Sequence, residues 1–406
     1  MLIFEDALEK LLACVPEARV VRVPLKEAWG RVLVSSIVAD LDLPPFDKSF
    51  VDGYALRSKD VEAVPVKLQV IGTVAAGSQS QPSVTVGQAV QIMTGAAVPP
   101  GTDAVQMVEK TRRVASEVVE ILEPIEKGKN MGPKGSEVGK GTVVLPPGRV
   151  VGPTEMGVLA TFGYKDVEVY AAPTVAVVST GDEIVDVGQR PKFGQIRNSN
   201  AYILWAQCHN LGVEVTVFPT IPDDPGRTRQ AIAQGLEYDL VLFSGGVSVG
   251  EYDYVHQVLA QEGVDVFFHK AAIKPGKPIL VGRKDEHMLF GLPGNPVSAY
   301  VTFELFVRPA IRRWMGFRRP SLRRVSGELG AKVRHKPGRK LFKPARTFWA
   351  QDRFKVEPIE TKGSSDLVAF SPANSLVIVE ADRTHLDAGA RVEVILLDRY
   401  FDAQTA

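Results

Sequence analysis

Between residues 174 and 290 the sequence alternates short apolar runs with stretches of helical spacing, which restricts the chain to few folds. An apolar run without polar alternation is typical of a strand that is buried on both faces. Strands of this kind, alternating with helices, indicate a parallel sheet covered by helices. The predicted strands are residues 174–179, 213–218, 240–243, 264–268 and 288–290. We therefore predict a doubly wound α/β domain here.

Polar or glycine-rich segments follow these predicted strands. In an open parallel sheet, ligands bind outside the carboxyl ends of the strands. Each segment alone is typical of an ordinary turn or helix cap. Five of them at successive strand ends predict one shared crevice. The segments are residues 179–183, 223–224, 244–253, 274–278 and 292–296.

The predicted crevice combines groups that bind oxyanions with carboxylates. Glycines let backbone amides approach an anion, a serine donates its hydroxyl, and lysines add point charges. These candidates are Gly245, Gly246, Gly294, Ser248, Lys274 and Lys277. The carboxylates are Asp182, Glu183, Asp223, Asp224 and Asp253. Carboxylates beside phosphate-binding amides usually imply a hard cation, so the pattern predicts a Mg²⁺-assisted phosphate or oxyanion site.

Several other kinds of site lack their sequence signatures. The chain has no GxGxxG or GxxxxGK[ST], which argues against dinucleotide and Walker-type sites. Its two cysteines and six histidines show no zinc-site spacing. With 48 basic and 47 acidic residues, the chain lacks the basic field that supports nonspecific nucleic-acid binding.

The sequence predicts neither a signal peptide nor a membrane span. Acidic residues interrupt the first apolar run early, and no basic region precedes it. No uninterrupted apolar stretch approaches 18 residues, the length that a spanning helix needs. We therefore expect a cytoplasmic protein.

Residues from about 45 to 145 have a different texture, in which short β-rich runs alternate with glycine and proline. This texture predicts a compact, mostly β module. Asp52 follows the Pro44-Pro45 boundary, which suggests a carboxylate held at a domain interface. Thr94 lies in a turn after a predicted strand. The tail from about 320 returns to short strands and polar turns.

Together, these motifs resemble the MoeA-like molybdopterin molybdenumtransferases, a family related to the C-terminal domain of gephyrin. The ordered set covers nearly the whole chain, which makes the resemblance specific although each motif alone is weak. The matching motifs are PPFDxSxxDGYA at 44–55, IMTGAxxP at 92–99, STGDE at 179–183, GGVSVGxxD at 245–253, KPGKP at 274–278 and GLPGNPVS at 291–298.

The resemblance implies a multidomain α/β plus β protein. An elongated linking domain would consist of residues 1–44 and 140–170, with a β-rich domain of residues 45–139 inserted in it. An α/β molybdopterin-binding domain would span residues 171–318. A C-terminal β-barrel-like domain would span residues 319–406.

The resemblance also implies a reaction. Adenylylated molybdopterin and molybdate would yield molybdenum cofactor and AMP, with Mg²⁺ as the cation. The family works as a homodimer, so Asp52 of the partner subunit would complete the site. A molybdopterin adenylyltransferase, downstream molybdoenzymes and their chaperones are the further partners implied, with neither nucleic acid nor membrane.

Residue by residue, the resemblance and the crevice chemistry give three sets. The catalytic set is Asp52, Glu183, Asp223, Lys274 and Lys277. The set that binds molybdopterin and its phosphate is Thr94, Thr180, Gly181, Gly245, Gly246, Ser248, Pro293, Gly294 and Asn295. The metal set is Asp182, Glu183, Asp223 and Asp253.

The chain departs from the family pattern at three positions. Lys48 stands where the family usually has asparagine, and Glu137 is one methylene longer than the usual aspartate. Lys362 replaces a common glutamine. These departures leave open a paralogue that carries molybdopterin with reduced activity. Tungstate also stays open, because it has nearly the size and charge of molybdate.

Two further alternatives come from related proteins. Adenylylation of molybdopterin uses a similar α/β domain, but the DGYA and KPGKP segments fit insertion better. A gephyrin-like scaffold would need an apolar peptide groove and a fused adenylyltransferase domain or a long linker. The 406 residues leave no room for that fusion.

Overall fold

The computed structural model describes residues 1–79, 81–246, 258–259 and 261–397. The chain divides into two compact units, which we call the smaller and the larger unit. The smaller unit comprises Ser35–Pro147 and Pro153–Lys165. The larger unit comprises Met1–Val34, Gly148–Gly152 and Asp166–Ala406. The four predicted domains divide the chain more finely, and their bounds stay predictions.

The smaller unit is built around a six-stranded sheet, as the β-rich texture predicts. Its strands, in order across the sheet, are Ala104–Met107, Gly53–Leu56, Gln88–Ile92, Val66–Val74, Val118–Ile121 and Thr111–Ala115. The sheet is buried on both faces, because Tyr54 and Leu56 pack in one apolar cluster and Ala55 packs in another. This alternation follows from the two-residue period of a strand.

Shorter elements complete the smaller unit. Two antiparallel pairs form outside the sheet, Ile37–Val38 with Val143–Leu145 and Lys48–Ser49 with Met131–Gly132. The helical elements are the 3₁₀ turns Ser58–Val61 and Val108–Lys110 and the α-helix Pro153–Thr161.

The larger unit contains the predicted α/β domain. Its sheet has six strands, in the order Val215–Val217, Val175–Ser179, Leu240–Ser244, His287–Leu292, Pro278–Lys284 and Asp265–Lys270. Val175 and Val177 pack in the core on one face, and Ala176 and Val178 pack on the other. The α/β class is confirmed. The expectation of a wholly parallel sheet was wrong, because Pro278–Lys284 runs antiparallel to both neighbours.

A tight turn explains the antiparallel strand. Lys284 pairs with His287, so only two residues, Asp285 and Glu286, connect the strands. A connection this short joins only antiparallel strands, and Asp285 adopts the positive φ of 51° that such turns favour. Since Asp265–Lys270 is in turn antiparallel to this strand, its carboxyl end still lies at the edge where the parallel strands end.

Helices cover both faces of this sheet. Two begin at side-chain caps: Asn198 accepts from the amide of Ala201 at 3.1 Å, and Asp224 accepts from that of Arg227 at 2.8 Å. The helical elements are Phe4–Cys14, Ser199–His209, Pro225–Gly235, Pro296–Thr302, the π-helical turn Phe303–Val307 and Arg308–Trp314. None of the helices in the described residues has the length and apolar character that crossing a bilayer requires.

A closed β-barrel follows, in agreement with the predicted C-terminal β domain. Its strands are Arg324–Leu329, Lys340–Ala350, Arg353–Pro358, Ser375–Val379 and Arg391–Leu396. Ser375–Val379 pairs with Lys340–Ala350 on one side and with Arg391–Leu396 on the other, which closes the ring. Closure removes the free sheet edges. A short strand, Ile273–Lys274, adds to the barrel beside Lys340.

The N-terminal helix joins the α/β core to the barrel. The ring of Phe4 makes edge contacts with Phe306 at 5.6 Å and with Phe342, on a barrel strand, at 5.1 Å between centroids. The remaining elements are the pairs Val20–Pro24 with Asp166–Tyr170, Ile184–Val185 with Ile196–Arg197 and Val333–Arg334 with His385–Leu386, the 3₁₀ turn Leu25–Ala28 and the helix Leu367–Phe370.

A buried ion pair in the larger unit yields a stability prediction. Glu304 and Arg308 are paired with side chains only 2% and 3% exposed, and Gln207 donates to Glu304 at 2.7 Å. We expect Glu304→Leu to lower the free energy of unfolding by about 3–5 kcal/mol, because it leaves the Arg308 charge buried without its carboxylate. Urea denaturation measures this difference.

The control is Glu393→Leu, which breaks the exposed pair between Glu393 and Arg324. We expect it to change the free energy of unfolding by about 0–1 kcal/mol. Equal effects of the two variants would contradict the prediction.

Candidate functional site

Three parallel strands of the α/β sheet end at the same level. Ser179 is the register partner of Ser244, and Ser244 is the partner of Leu292. The loops that follow these strands therefore start side by side. They form the wall of a cavity of about 650 Å³, which we call the crevice.

Most of the predicted site residues of the larger unit line the crevice. They are Thr180, Gly181, Glu183, Asp223, Gly245, Gly246, Pro293, Gly294 and Asn295. Asp182 is not among the lining residues, but its Oδ1 accepts a hydrogen bond from the amide of the lining residue Asp223 at 3.3 Å. Ser248 and Asp253 lie outside the described residues. The structure thus brings the predicted loops together, while the role of each residue stays a prediction.

Two glycines are required by the shape of the crevice. Gly245 has φ of +96°, and a Cβ there would lie 2.7 Å from the carbonyl oxygen of Thr180. Gly181 has φ of +142°, and a Cβ there would lie 2.6 Å from a carboxylate oxygen of Glu183. Only glycine accepts these conformations without strain. The backbone at both positions therefore lies closer to its neighbours than any residue with a side chain allows.

The two predicted lysines lie beyond the crevice wall. Lys274 and Lys277 are exposed, whereas the next residue, Pro278, lines the crevice. Lys274 forms the short strand that pairs with the barrel at Leu341. Burial lowers the pKa of His335, and the positive charges of Lys274 and Arg339 lower it further. Lys274 therefore lies near His335 and Arg339.

One lining segment was not predicted from the sequence: Ile196, Arg197, Asn198, Ser199 and Asn200. Arg197 is the one cation among the described lining residues, and its Nε donates to the carbonyl of Gln189 at 3.0 Å. In the sequence, the polar residues of this segment form a run at the start of the helix Ser199–His209, and such a run is typical of a helix cap. Because the run also lies at the end of the short strand Ile196–Arg197, it can contribute to a binding segment.

The amides of Asn198 and Asn200 tie the strand ends together. Asn200 Nδ2 donates to Ser244 Oγ and to the carbonyl of Gly294, both at 2.8 Å. Asn198 accepts from Ser179 Oγ at 3.3 Å and donates to Thr220 at 3.1 Å. Hydrogen bonds of buried amides to several loops at once stabilise one arrangement of those loops.

The tail segment at residues 362–367 also reaches the crevice, through Ser365. The amide of Val297 donates to the carbonyl of Ser364 at 3.0 Å, which joins this segment to the helix Pro296–Thr302. The amide of Lys362 donates to Asp366 at 3.0 Å. The Lys362 departure therefore lies on a segment that contributes to the crevice wall.

Negative charge accumulates on one side of the crevice. Burial raises the pKa of Asp223, and the charges of Asp182 and Glu183 raise it further. Such mutual repulsion favours a bound cation. Among the described residues, no three histidine, cysteine, aspartate or glutamate side chains are arranged to hold a metal ion. The predicted metal set, which includes Asp253, therefore stays a prediction.

The predicted residues of the smaller unit form their own cluster. Asp52 Oδ1 accepts hydrogen bonds from the amide of Thr94 at 2.7 Å and from its hydroxyl at 3.1 Å. Lys48 Nζ pairs with Glu137 at 2.7 Å. Two of the departures from the family pattern therefore contact each other, because the positive charge added at Lys48 pairs with the longer carboxylate of Glu137.

The charge cluster around Asp223 yields a pH prediction. Because the pKa of Asp223 is raised in the folded chain, its ionised form destabilises the fold above that pKa, and the penalty disappears below the pKa of the unfolded chain. Asp223→Asn should therefore stabilise the protein at pH 7 by less than about 1 kcal/mol, since water screens this exposed group. Thermal unfolding at pH 7 and at pH 4 should show the gain shrinking with acidity. If Asp223→Asn were less stable than wild type at pH 7, the prediction would be contradicted.

Models of known protein families match three consecutive parts of the chain. Residues 2–163 match the MoeA N-terminal region (domain I and II). Residues 176–313, which contain most of the crevice, match a probable molybdopterin binding domain. Residues 326–397, which contain the barrel, match the MoeA C-terminal region (domain IV).

Similar proteins match along nearly their whole length. A molybdopterin molybdenumtransferase from Staphylococcus aureus strain Mu50 is 34% identical over 399 residues, which cover 97% of this chain and 95% of that protein. One from Staphylococcus epidermidis is 33% identical over 401 residues, with the same coverage. The crystal structure of a molybdopterin biosynthesis MoeA protein from Pyrococcus horikoshii has a TM-score of 0.83 and 33% identity, and covers 98% of this chain and 100% of that one. On this similarity, the chain belongs to the MoeA family of molybdopterin molybdenumtransferases.

Proposed function

We propose that this protein inserts molybdate into adenylylated molybdopterin and releases molybdenum cofactor and AMP. The supporting observation is the mixed chemistry of the crevice. The lining includes the glycines Gly245, Gly246 and Gly294 and the acidic residues Glu183 and Asp223. A phosphate-bearing substrate that is bound with a cation needs both kinds of group.

Mg²⁺ fits the described residues. Protein sites usually hold Mg²⁺ by one or two carboxylates, with the other ligands from water and substrate phosphate. Glu183 and Asp223 line the crevice and supply two carboxylates, so a cluster of three protein ligands is not required. Asp182 accepts from the Asp223 amide and so positions that loop. When bound, Mg²⁺ would neutralise negative charge that develops on the phosphate during release of AMP.

The cations divide between two places. Arg197 lies on the crevice wall. Lys274 lies on the short strand that pairs with the barrel, and Lys277 lies three residues further on, just before the α/β strand Pro278–Lys284. We propose that the two lysines attract molybdate, since ammonium groups bind oxyanions as compact point charges. Arg197 would bind substrate phosphate, because its guanidinium offers several donors.

The proposal includes a homodimer in the cytoplasm. Asp52 of the partner subunit would complete the site, with its carboxylate oriented by the hydrogen bonds that Thr94 donates. The adenylyltransferase that makes the substrate would act upstream. Molybdoenzymes or their chaperones would receive the product.

AMP release tests this function. Purified protein receives adenylylated molybdopterin and Mg²⁺, with molybdate, with tungstate or with neither, and AMP is quantified. We expect release only with oxyanion. We expect Glu183→Gln to slow it by about 10²-fold or more, because it removes a charge that acts at the reacting phosphate. Removal of Mg²⁺ by a chelator should stop release as well.

Glu237→Gln is the matched control, because it removes the same charge before the amino end of the strand Leu240–Ser244, at the opposite edge of the sheet. It should leave release unchanged. Undiminished release by Lys274→Ala would refute the lysine assignment. Release with tungstate alone would identify a tungstate enzyme. Tight substrate binding without release under any oxyanion would refute the transferase proposal and indicate a carrier.

A further inference from the structure

His335 is a buried histidine that the proposed function leaves unused. The residue is 8% exposed and follows the short strand Val333–Arg334. Its amide donates to the carbonyl of Thr384 at 2.7 Å, and its Nε2 lies 2.7 Å from the carbonyl oxygen of Arg339. A carbonyl only accepts hydrogen bonds, so Nε2 carries a proton and donates it. The ring therefore closes the turn of residues 335–339.

The His335 ring carries no charge of its own at neutral pH. Its Nδ1 is buried and, among the described residues, has no hydrogen-bond partner. A second proton there would be a buried donor without an acceptor. Burial lowers the pKa of His335, and the positive charges of Lys274 and Arg339 lower it further, although the bond to the Arg339 carbonyl raises it. The imidazole therefore acts on its surroundings through the Nε2 hydrogen bond.

The closed turn also holds the two carbonyls that precede Lys274. Nη1 of Arg339 donates to the carbonyl of Ile273 at 3.4 Å. The amide of the next residue, Lys340, donates to the carbonyl of Ala272 at 2.8 Å. A continuous set of hydrogen bonds thus runs from the imidazole to the backbone that bears the lysine.

Lys274 is an exposed residue on a buried stem. Ile273 is fully buried in the core of the larger unit and pairs with Lys340, while Lys274 pairs with Leu341. A lysine ammonium is a point charge at the end of a long flexible chain. Its binding of an oxyanion therefore improves when the backbone beneath it is already ordered, because less conformational freedom is lost on binding.

Lys277 is held by other contacts. Its carbonyl accepts a hydrogen bond from the amide of Ala271 at 3.1 Å. A Cβ at Gly276 would lie 2.3 Å from Cγ2 of Thr302, so this end of the loop packs closely on the helix Pro296–Thr302. The turn of residues 335–339 therefore acts on one of the two lysines.

We propose that His335 is a positioning residue for Lys274, in which the neutral imidazole orders the turn that fixes the backbone of the lysine. The inference rests on the proposed function, which gives Lys274 the oxyanion as its ligand. It differs from a general stabilising role, because the effect must reach Lys274 and leave Lys277 unaffected.

Two variants separate the donor from the shape of the ring. His335→Phe keeps a ring of similar size and removes the donor, whereas His335→Gln keeps an amide donor of similar reach. Hydrogen exchange at the Lys340 amide reports its bond to Ala272. We expect exchange to be about three- to tenfold faster in His335→Phe, the change that one lost hydrogen bond produces, and close to the wild-type rate in His335→Gln.

Oxyanion binding is compared in the same two variants. Calorimetry gives the dissociation constant of molybdate, and AMP release gives kcat and the KM for molybdate. We expect His335→Phe to raise the dissociation constant and the KM by about three- to tenfold and to leave kcat within about twofold of wild type. His335→Gln should restore both binding constants. A general loss of structure would lower kcat as well and would persist in His335→Gln.

A double-mutant cycle identifies the lysine through which His335 acts. His335→Phe should add little to the loss of molybdate affinity that Lys274→Ala causes, because the two changes remove one interaction. Combined with Lys277→Ala, the effect of His335→Phe should add in full. Full additivity with both lysine variants would overturn the inference.

His287→Phe is the matched control, because Nδ1 of His287 also lies 2.8 Å from a backbone carbonyl, that of Tyr238. His287 begins the strand His287–Leu292, at the edge of the sheet opposite the crevice. This variant should leave molybdate affinity and Lys340 exchange unchanged. Equal effects of the two phenylalanine variants, or an unchanged dissociation constant in His335→Phe, would overturn the inference.

Failure of this inference and failure of the proposed function have different signatures. Oxyanion-dependent AMP release with the same molybdate KM in wild type and His335→Phe would refute the inference alone. Weaker molybdate binding in His335→Phe that His335→Gln restores, in a protein that releases no AMP, would refute the proposed function. That result would support the inference for an oxyanion-binding protein.

Discussion

The register of three parallel strands determines where the crevice forms. Ser179, Ser244 and Leu292 are aligned across the sheet, so the loops that follow them start at one level. A shift of one residue would turn the strand ends to the opposite face. The buried apolar faces of the sheet hold this register, because each strand packs in two cores at once. The Asn200 amide then fixes the distance between two of the loops.

The sequence predicted the α/β domain because its strands are apolar on both faces and lie between amphipathic segments. It did not predict the strand Pro278–Lys284, whose first residue, Pro278, is also the last residue of the KPGKP motif. The polar pair Asp285-Glu286 between two apolar runs was the sequence feature that could have indicated a hairpin there. Motif order likewise predicted the crevice loops, because the carboxyl ends of such strands share one edge.

Asn200 escaped prediction for a physical reason. Its role in joining the crevice loops depends on the hydrogen bonds that its Nδ2 donates to Ser244 and Gly294. Those two residues lie 44 and 94 residues away along the chain. The pairing of Lys48 with Glu137 is equally invisible in sequence, since it joins positions 89 residues apart. Each departure alone suggests altered chemistry, whereas the structure shows that the charge added at Lys48 is paired with the carboxylate of Glu137. Contacts of this range are set by the fold and not by local pattern.

The short strand Ile273–Lys274 makes the lysine loop an extension of the barrel. The amide of Lys340 donates to the carbonyl of Ala272 at 2.8 Å, and Ala271 donates to that of Lys277 at 3.1 Å. Lys274 is thus anchored to a barrel strand, whereas Lys277 directly precedes the α/β strand Pro278–Lys284. Substitutions in the barrel can therefore reposition Lys274 while the Asn200 network keeps the crevice loops in place. On the proposed roles, binding of the oxyanion can change in evolution while the crevice loops stay as they are.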